Sequence, residues 1–235
     1  DLTQDALREK GYSVDELGFS NAMKIQKEKA RAAWSGSGDT KNDPIWFELE
    51  NKLQATEFLG YESCLAQAQV LSILFNGKER QDLKKGQTGQ VIFNQTPFYA
   101  ESGGQVHDIG TFSSGECNGL ITTVKSKEKL FVHDVQVLEG VLSVKADTTL
   151  KVNKARRDAI CRNHSATHLM HESLRNILGD HVAQRGSLND SKRIRFDFSH
   201  SKPLSQEEIA QVESEVNFYI RQNNEVSTWL MSPAE

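Results

Sequence analysis

The apolar residues of this chain change their spacing twice, and that change limits the fold more than any single motif does. Between about residues 57 and 153 they come in short runs broken by Gly, Asn and Asp. Val70-Leu71-Ser72-Ile73-Leu74-Phe75 is followed by Asn76-Gly77, and Gln90-Val91-Ile92-Phe93 comes next. Leu120 to Val124, Leu130 to Val135 and Val141 to Val144 continue the pattern. An Asn-Gly step supplies the two positive-φ residues of a tight hairpin. Several short strands at this spacing predict a small barrel or sandwich.

On either side the spacing is helical. Residues 1–34 have helical composition, with a helix opening at Val14-Asp15-Glu16 and a narrow apolar stripe that needs a partner. Ser35-Gly36-Ser37-Gly38-Asp39 reads as a flexible break. Residues 44–54 read as helical again, with Ile45, Phe47, Leu49 and Leu53 expected to be buried. Ala155 to Leu178 predicts one long helix capped by Gly179, packing through Ala159, Ile160, Leu169, Leu174, Ile177 and Leu178. Arg193 to Phe198 alternates strictly, as a half-buried strand does. Ser205 and Glu208 form a capping box for a helix through Val212, Val216 and Ile220 to about Arg221. Val226 to Met231 predicts a further strand. The fold class is therefore α+β: a helical segment (1–56), a β-barrel (57–153), and an α+β core (154–235).

A net charge of -4 excludes a uniformly basic nucleic-acid binder, so RNA contact would need local patches. Lys151, Lys154, Arg156, Arg157 and Arg162 form one, and Arg185, Lys192, Arg193 and Arg195 another, unless both are plain solvated faces. No apolar run reaches the ~18–20 residues of a membrane span, so no membrane partner is expected. Three scattered cysteines, Cys64, Cys117 and Cys161, give no disulfide framework and fit a reducing, cytoplasmic setting. The first residue is not Met and lies within helix-like sequence, which predicts a piece of a longer chain.

His164 and His168 stand four apart, on one face of the long predicted helix. Two imidazoles one turn apart can reach the same tetrahedral ion, although the spacing alone also occurs in plain helices. Cys161 and His171 extend the stripe to about 15 Å, too long for four ligands on one ion. Cys161 is expected to be a small core residue.

The residues around this face are specific. Arg162-Asn163-His164-Ser165-Ala166-Thr167-His168-Leu169-Met170-His171 resembles the editing motif of the alanyl-tRNA synthetases. So do Thr96-Pro97-Phe98-Tyr99-Ala100-Glu101-Ser102-Gly103-Gly104-Gln105, His181 to Leu188, and Arg195 to His200, in that family's order and spacing. The resemblance covers essentially the whole chain and is greatest to bacterial-type members.

The resemblance implies an internal stretch: the end of the tRNA-recognition helices, a barrel like elongation-factor domain II, and most of an editing core. It implies zinc held by His164 and His168, with a Cys and a His ligand expected beyond Glu235. It implies Thr167 and Gln184 as catalytic and substrate-recognising residues, with Arg162 also binding substrate. Asp197 and His200 could support the site, or serve the fold. Ser102-Gly103-Gly104 could let backbone approach the acceptor end or the helix closely, or form a tight barrel turn. The implied parent joins alanine to tRNA(Ala) with ATP and magnesium, bound in an aminoacylation domain upstream of residue 1. The implied editing reaction hydrolyses mischarged Ser-tRNA and Gly-tRNA, because one small group is worth only ~1–3 kcal/mol of discrimination in an apolar pocket. The oligomerisation region is expected to be absent. Two other readings stay open: a free-standing trans-editing hydrolase and a non-catalytic tRNA-binding module.

Overall fold

A computed structural model describes residues 44–225, with residues 15, 18, 21, 23, 227 and 232 besides. The chain divides into two units, Asp1–Asp43 and Pro44–Glu235. In the first, Asp15 Oδ1 accepts the Gly18 amide at 2.8 Å. The rest of the N-terminal helical segment and the strand expected over Val226–Met231 lie outside the described residues, apart from the single positions named.

In the second unit, helix α1 (Pro44–Lys52) precedes eleven strands. These are β1 (Glu57–Phe58), β2 (Leu65–Phe75), β3 (Lys78–Arg80), β4 (Asp82–Lys84), β5 (Thr88–Phe93), β6 (Gln95–Thr96) and β7 (Gly110–Ser114). They continue with β8 (Cys117–Lys127), β9 (Leu130–Glu139), β10 (Val141–Ser143) and β11 (Asp147–Val152). Then follow helix α2 (Lys154–Leu178), the hairpin β12 (Gln184–Asn189) and β13 (Ile194–Phe198), and helix α3 (Gln206–Gln222).

The main sheet runs β11-β7-β8-β9-β5-β2-β3, and β11 also pairs antiparallel with β2. Six strands thus close into a barrel. Closure satisfies both edges of β11, which pairs with β7 on one side and β2 on the other. Alternate residues of β2 are buried along its first half, as a one-sided strand requires. The interior is apolar, built on Val70, Ile73, Phe93, Phe98, Phe112 and Val135 among others. The β2–β3 turn is the expected hairpin, with Asn76 at φ 52° and Gly77 at φ 72°.

A titratable side chain sits in this interior, beside the buried Thr96. His133 is fully buried, and its Nε2 lies 2.8 Å from Thr96 Oγ1. Its Nδ1 lies 3.3 Å from the Val91 carbonyl, which can only accept, so Nδ1 carries the proton. Burial lowers its pKa from 6.5 to about 4, against the opposing effect of the Val91 and Phe131 backbone.

Helix α1 covers the barrel through Leu49, with Ile45, Trp46 and Leu53 packed around Leu74, Ile92 and Leu130. Phe47 was expected inside and is instead 70% exposed, because it falls on the opposite face from Leu49. A second core joins α2, α3 and the hairpin through Leu174, Val182 and Val212. Ser205 and Glu208 form the expected capping box of α3. Ile220 on that helix is half exposed rather than packed. Among the described residues, no helix is long and apolar enough to cross a membrane.

Candidate functional site

Helix α2 starts one residue after the barrel closes. Asn153 is its N-cap: the side chain accepts the Arg156 amide at 3.1 Å, and its own amide donates to Ile109. One turn further, Arg157 is buried and fastens three segments. Its Nε lies 3.0 Å from both Asp108 carboxylate oxygens, and one terminal nitrogen also contacts Asp108 closely. The other terminal nitrogen donates to Gly60 O at 2.6 Å, and Pro97 O is bound at 2.8 Å. Arg156 donates to His107 O, and Lys154 pairs with Asp158. Three cations of the first expected RNA patch are thus engaged in holding the helix, and Arg157 has no surface to offer.

The loop 97–108 therefore belongs to barrel and helix at once. Ser102 and Gln105 exchange backbone hydrogen bonds across Gly103 and Gly104, which take φ +58° and +82°. The Gly104 carbonyl accepts the Asn189 amide at 2.7 Å, and a Cβ on Gly104 would lie 2.6 Å from Ser187 O. The two glycines form a tight turn, and the close approach is to strand β12 rather than to the helix.

Between this turn, α2 and the hairpin lies a cleft of about 80 Å³. Helix α2 lines it with His164, Thr167, His168 and His171. Strand β12 adds Gln184, Ser187 and Asn189, and Gly103 and Phe196 complete it. Four of the five residues singled out from sequence meet here. Arg162 is exposed on α2 and does not line the cleft. Cys161 is exposed, not a core residue, because α2 buries its Ile160 and Arg157 face instead.

The His164 and His168 rings stack with centroids 5.0 Å apart and planes 17° apart. Partial burial, and then the neighbouring His168, lower the His164 pKa, which keeps that imidazole neutral at physiological pH. Its Nδ1 lies 2.7 Å from Gln105 Oε1, a barrel residue that is itself buried. Two imidazoles a turn apart suit half of a zinc ligand set. Among the described residues, no group of three or more His, Cys, Asp and Glu side chains is placed to hold a metal ion.

Thr167 Oγ1 donates to Asn163 O at 2.8 Å, the helical back-bond, so its lone pairs remain as acceptors. His171 packs against Phe196, and its Nε2 is buried without a partner, as is Asn189 Oδ1. Asp197 pairs with Arg195, and His200 lies 2.8 Å from His181. Sequence reasoning missed Gln105, Ser187 and Asn189. The first stands within a quoted motif, but its partner is 59 residues away.

Comparison with known proteins identifies the family. The family model described as tRNA synthetases class II (A) matches residues 1–156. An alanine–tRNA ligase of Cereibacter sphaeroides (strain ATCC 17029 / ATH 2.4.9) is 58% identical over 233 residues, which is 99% of this chain and 26% of the relative. Alanine–tRNA ligases of Parvibaculum lavamentivorans and Paracoccus denitrificans are 52% and 51% identical, over 100% and 99% of this chain and 27% and 26% of their own length. The chain spans about a quarter of the curated relatives it matches. With a family model over well more than half its length, the chain belongs to the class II (A) tRNA synthetases, alongside the alanine–tRNA ligases.

Proposed function

We propose that this chain carries the editing part of an alanine–tRNA ligase, which hydrolyses Ser-tRNA(Ala) and Gly-tRNA(Ala). The observation that supports this is the gathering of His164, Thr167, His168 and Gln184 into one small cleft from two separate elements. A cleft of about 80 Å³ has the volume of two or three waters, which suits a small aminoacyl group. The reaction is attack of water on the ester carbonyl, with release of the free amino acid and the ribose hydroxyl of the tRNA. Thr167 accepts the serine hydroxyl, a hydrogen bond that an alanyl ester cannot make. Gln184 binds the acyl group from the hairpin side. Exposed Arg162, Arg185, Lys192 and Arg193 meet tRNA phosphates. His164 and His168 would hold zinc, which supplies Lewis-acid chemistry at their end of the cleft when bound.

In the same reading, the domains follow the boundaries 1–56, 57–153 and 154–235, and the protein works in the cytoplasm. ATP and magnesium serve alanine attachment in other parts of the longer relatives. The test is deacylation of Ser-tRNA(Ala) by the longer ligase chain. His168→Ala and Gln184→Ala should each lower the rate about 10²–10³-fold while alanine attachment persists. Unchanged hydrolysis with His168→Ala overturns the assignment. A second reading, a tRNA-binding module without catalysis, rests on the exposed basic side chains Arg162, Arg185, Lys192 and Arg193. Binding of Ser-tRNA(Ala) without turnover would select it.

A further inference from the structure

We propose that Gln105, a residue of the barrel loop, is a positioning residue that fixes which nitrogen of His164 faces the cleft with a lone pair. This rests on the reading of His164 and His168 as a metal-binding face. The Gln105 side chain is 8% exposed, and its Oε1 lies 2.7 Å from His164 Nδ1. An amide oxygen only accepts, so Nδ1 is the protonated nitrogen and Nε2 keeps its lone pair. A free histidine side chain has no such bias imposed on it, and the hydrogen bond at one nitrogen decides the state of the other.

The loop is built to hold Gln105 still. Its amide donates to Ser102 O at 2.9 Å, its carbonyl accepts Ser102 N at 3.2 Å, and it bridges to Asn189. Asp108, three residues on, is locked to Arg157 about two helical turns before His164. The chain thus anchors donor and acceptor to each other at two points. The barrel then acts on the chemistry of a cleft to which it contributes little surface.

The test uses the whole chain with ¹⁵N-labelled histidine. Long-range ¹⁵N–¹H spectra distinguish the two tautomers, and His164→Gln identifies the signals. The expected result is Nδ1–H for His164 in the unmodified chain. Gln105→Met should shift His164 toward Nε2–H, and Gln105→Glu, which keeps the acceptor, should restore Nδ1–H. A Zn²⁺ titration followed on the same signals should weaken about 10–100-fold with Gln105→Met and recover with Gln105→Glu. A His164 that is Nε2–H in the unmodified chain, or unchanged by Gln105→Met, overturns the proposal. Nδ1–H that depends on Gln105, with no response of His164 to Zn²⁺, supports the positioning role and removes the metal reading instead.

Discussion

Lowering the pH from 7 to 4 should destabilise the barrel through one side chain, His133. Its folded pKa, about 4, lies below the ordinary 6.5, because burial penalises the imidazolium. Between those values the unfolded chain binds the proton and the folded chain does not, so stability falls as pH falls. The contribution is complete above about 6.5 and exhausted below about 4. At roughly 1.4 kcal/mol per pH unit, the loss over this window is about 3 kcal/mol. That is a large share of the ~5–15 kcal/mol typical of a domain. The assay is urea unfolding at pH 7, 6, 5 and 4, beside His133→Gln, which keeps a donor and an acceptor for Val91 and Thr96 but does not titrate here. The variant begins less stable at pH 7, and its curve should fall about 3 kcal/mol less by pH 4. Parallel curves would refute the reasoning, since every other group is common to both proteins.

Other consequences concern the joint between barrel and helix. Arg157→Met leaves Asp108 buried without its partner and should cost about 3–5 kcal/mol, read by denaturant unfolding. The double change Arg157→Met with Asp108→Leu should recover part of that loss, and its failure to do so would point to the Gly60 and Pro97 contacts. Gly104→Ala forces a Cβ onto Ser187 O at a positive φ and should cost about 1–3 kcal/mol, with the Gln184 and Ser187 amide signals shifting. Gly103→Ala carries the same backbone strain in open space, so it should cost less.

What the sequence disclosed followed from local physics. The Asn76-Gly77 turn, the Ser205–Glu208 box, and the alternation of Arg193–Phe198 each act within six residues. The helix bearing His164 and His168 announced itself by its period. Strands β7 and β12, Gly-Thr-Phe-Ser-Ser and Gln-Arg-Gly-Ser-Leu-Asn, were missed because each carries one large apolar residue and is held by backbone pairing. Arg157 looked like a surface cation because its partner stands 49 residues away. Gln105 was quoted only as the last residue of a motif, for the same reason. Phe47 and Cys161 were misjudged where the buried face of a helix depends on what packs against it.

The single-residue splice at Asn153 has a mechanical consequence. Strand β11 is gripped on both edges, and helix α2 continues from it almost without slack. The histidine wall of the cleft is therefore continuous with a closed cylinder. The opposite wall is a two-stranded ribbon whose Asn189 end is pinned to the glycine turn and whose Gln184 end carries a register break. The two walls of the cleft are thus joined through the barrel: one continues from its last strand, and the other is tied to its glycine turn by the Asn189 amide.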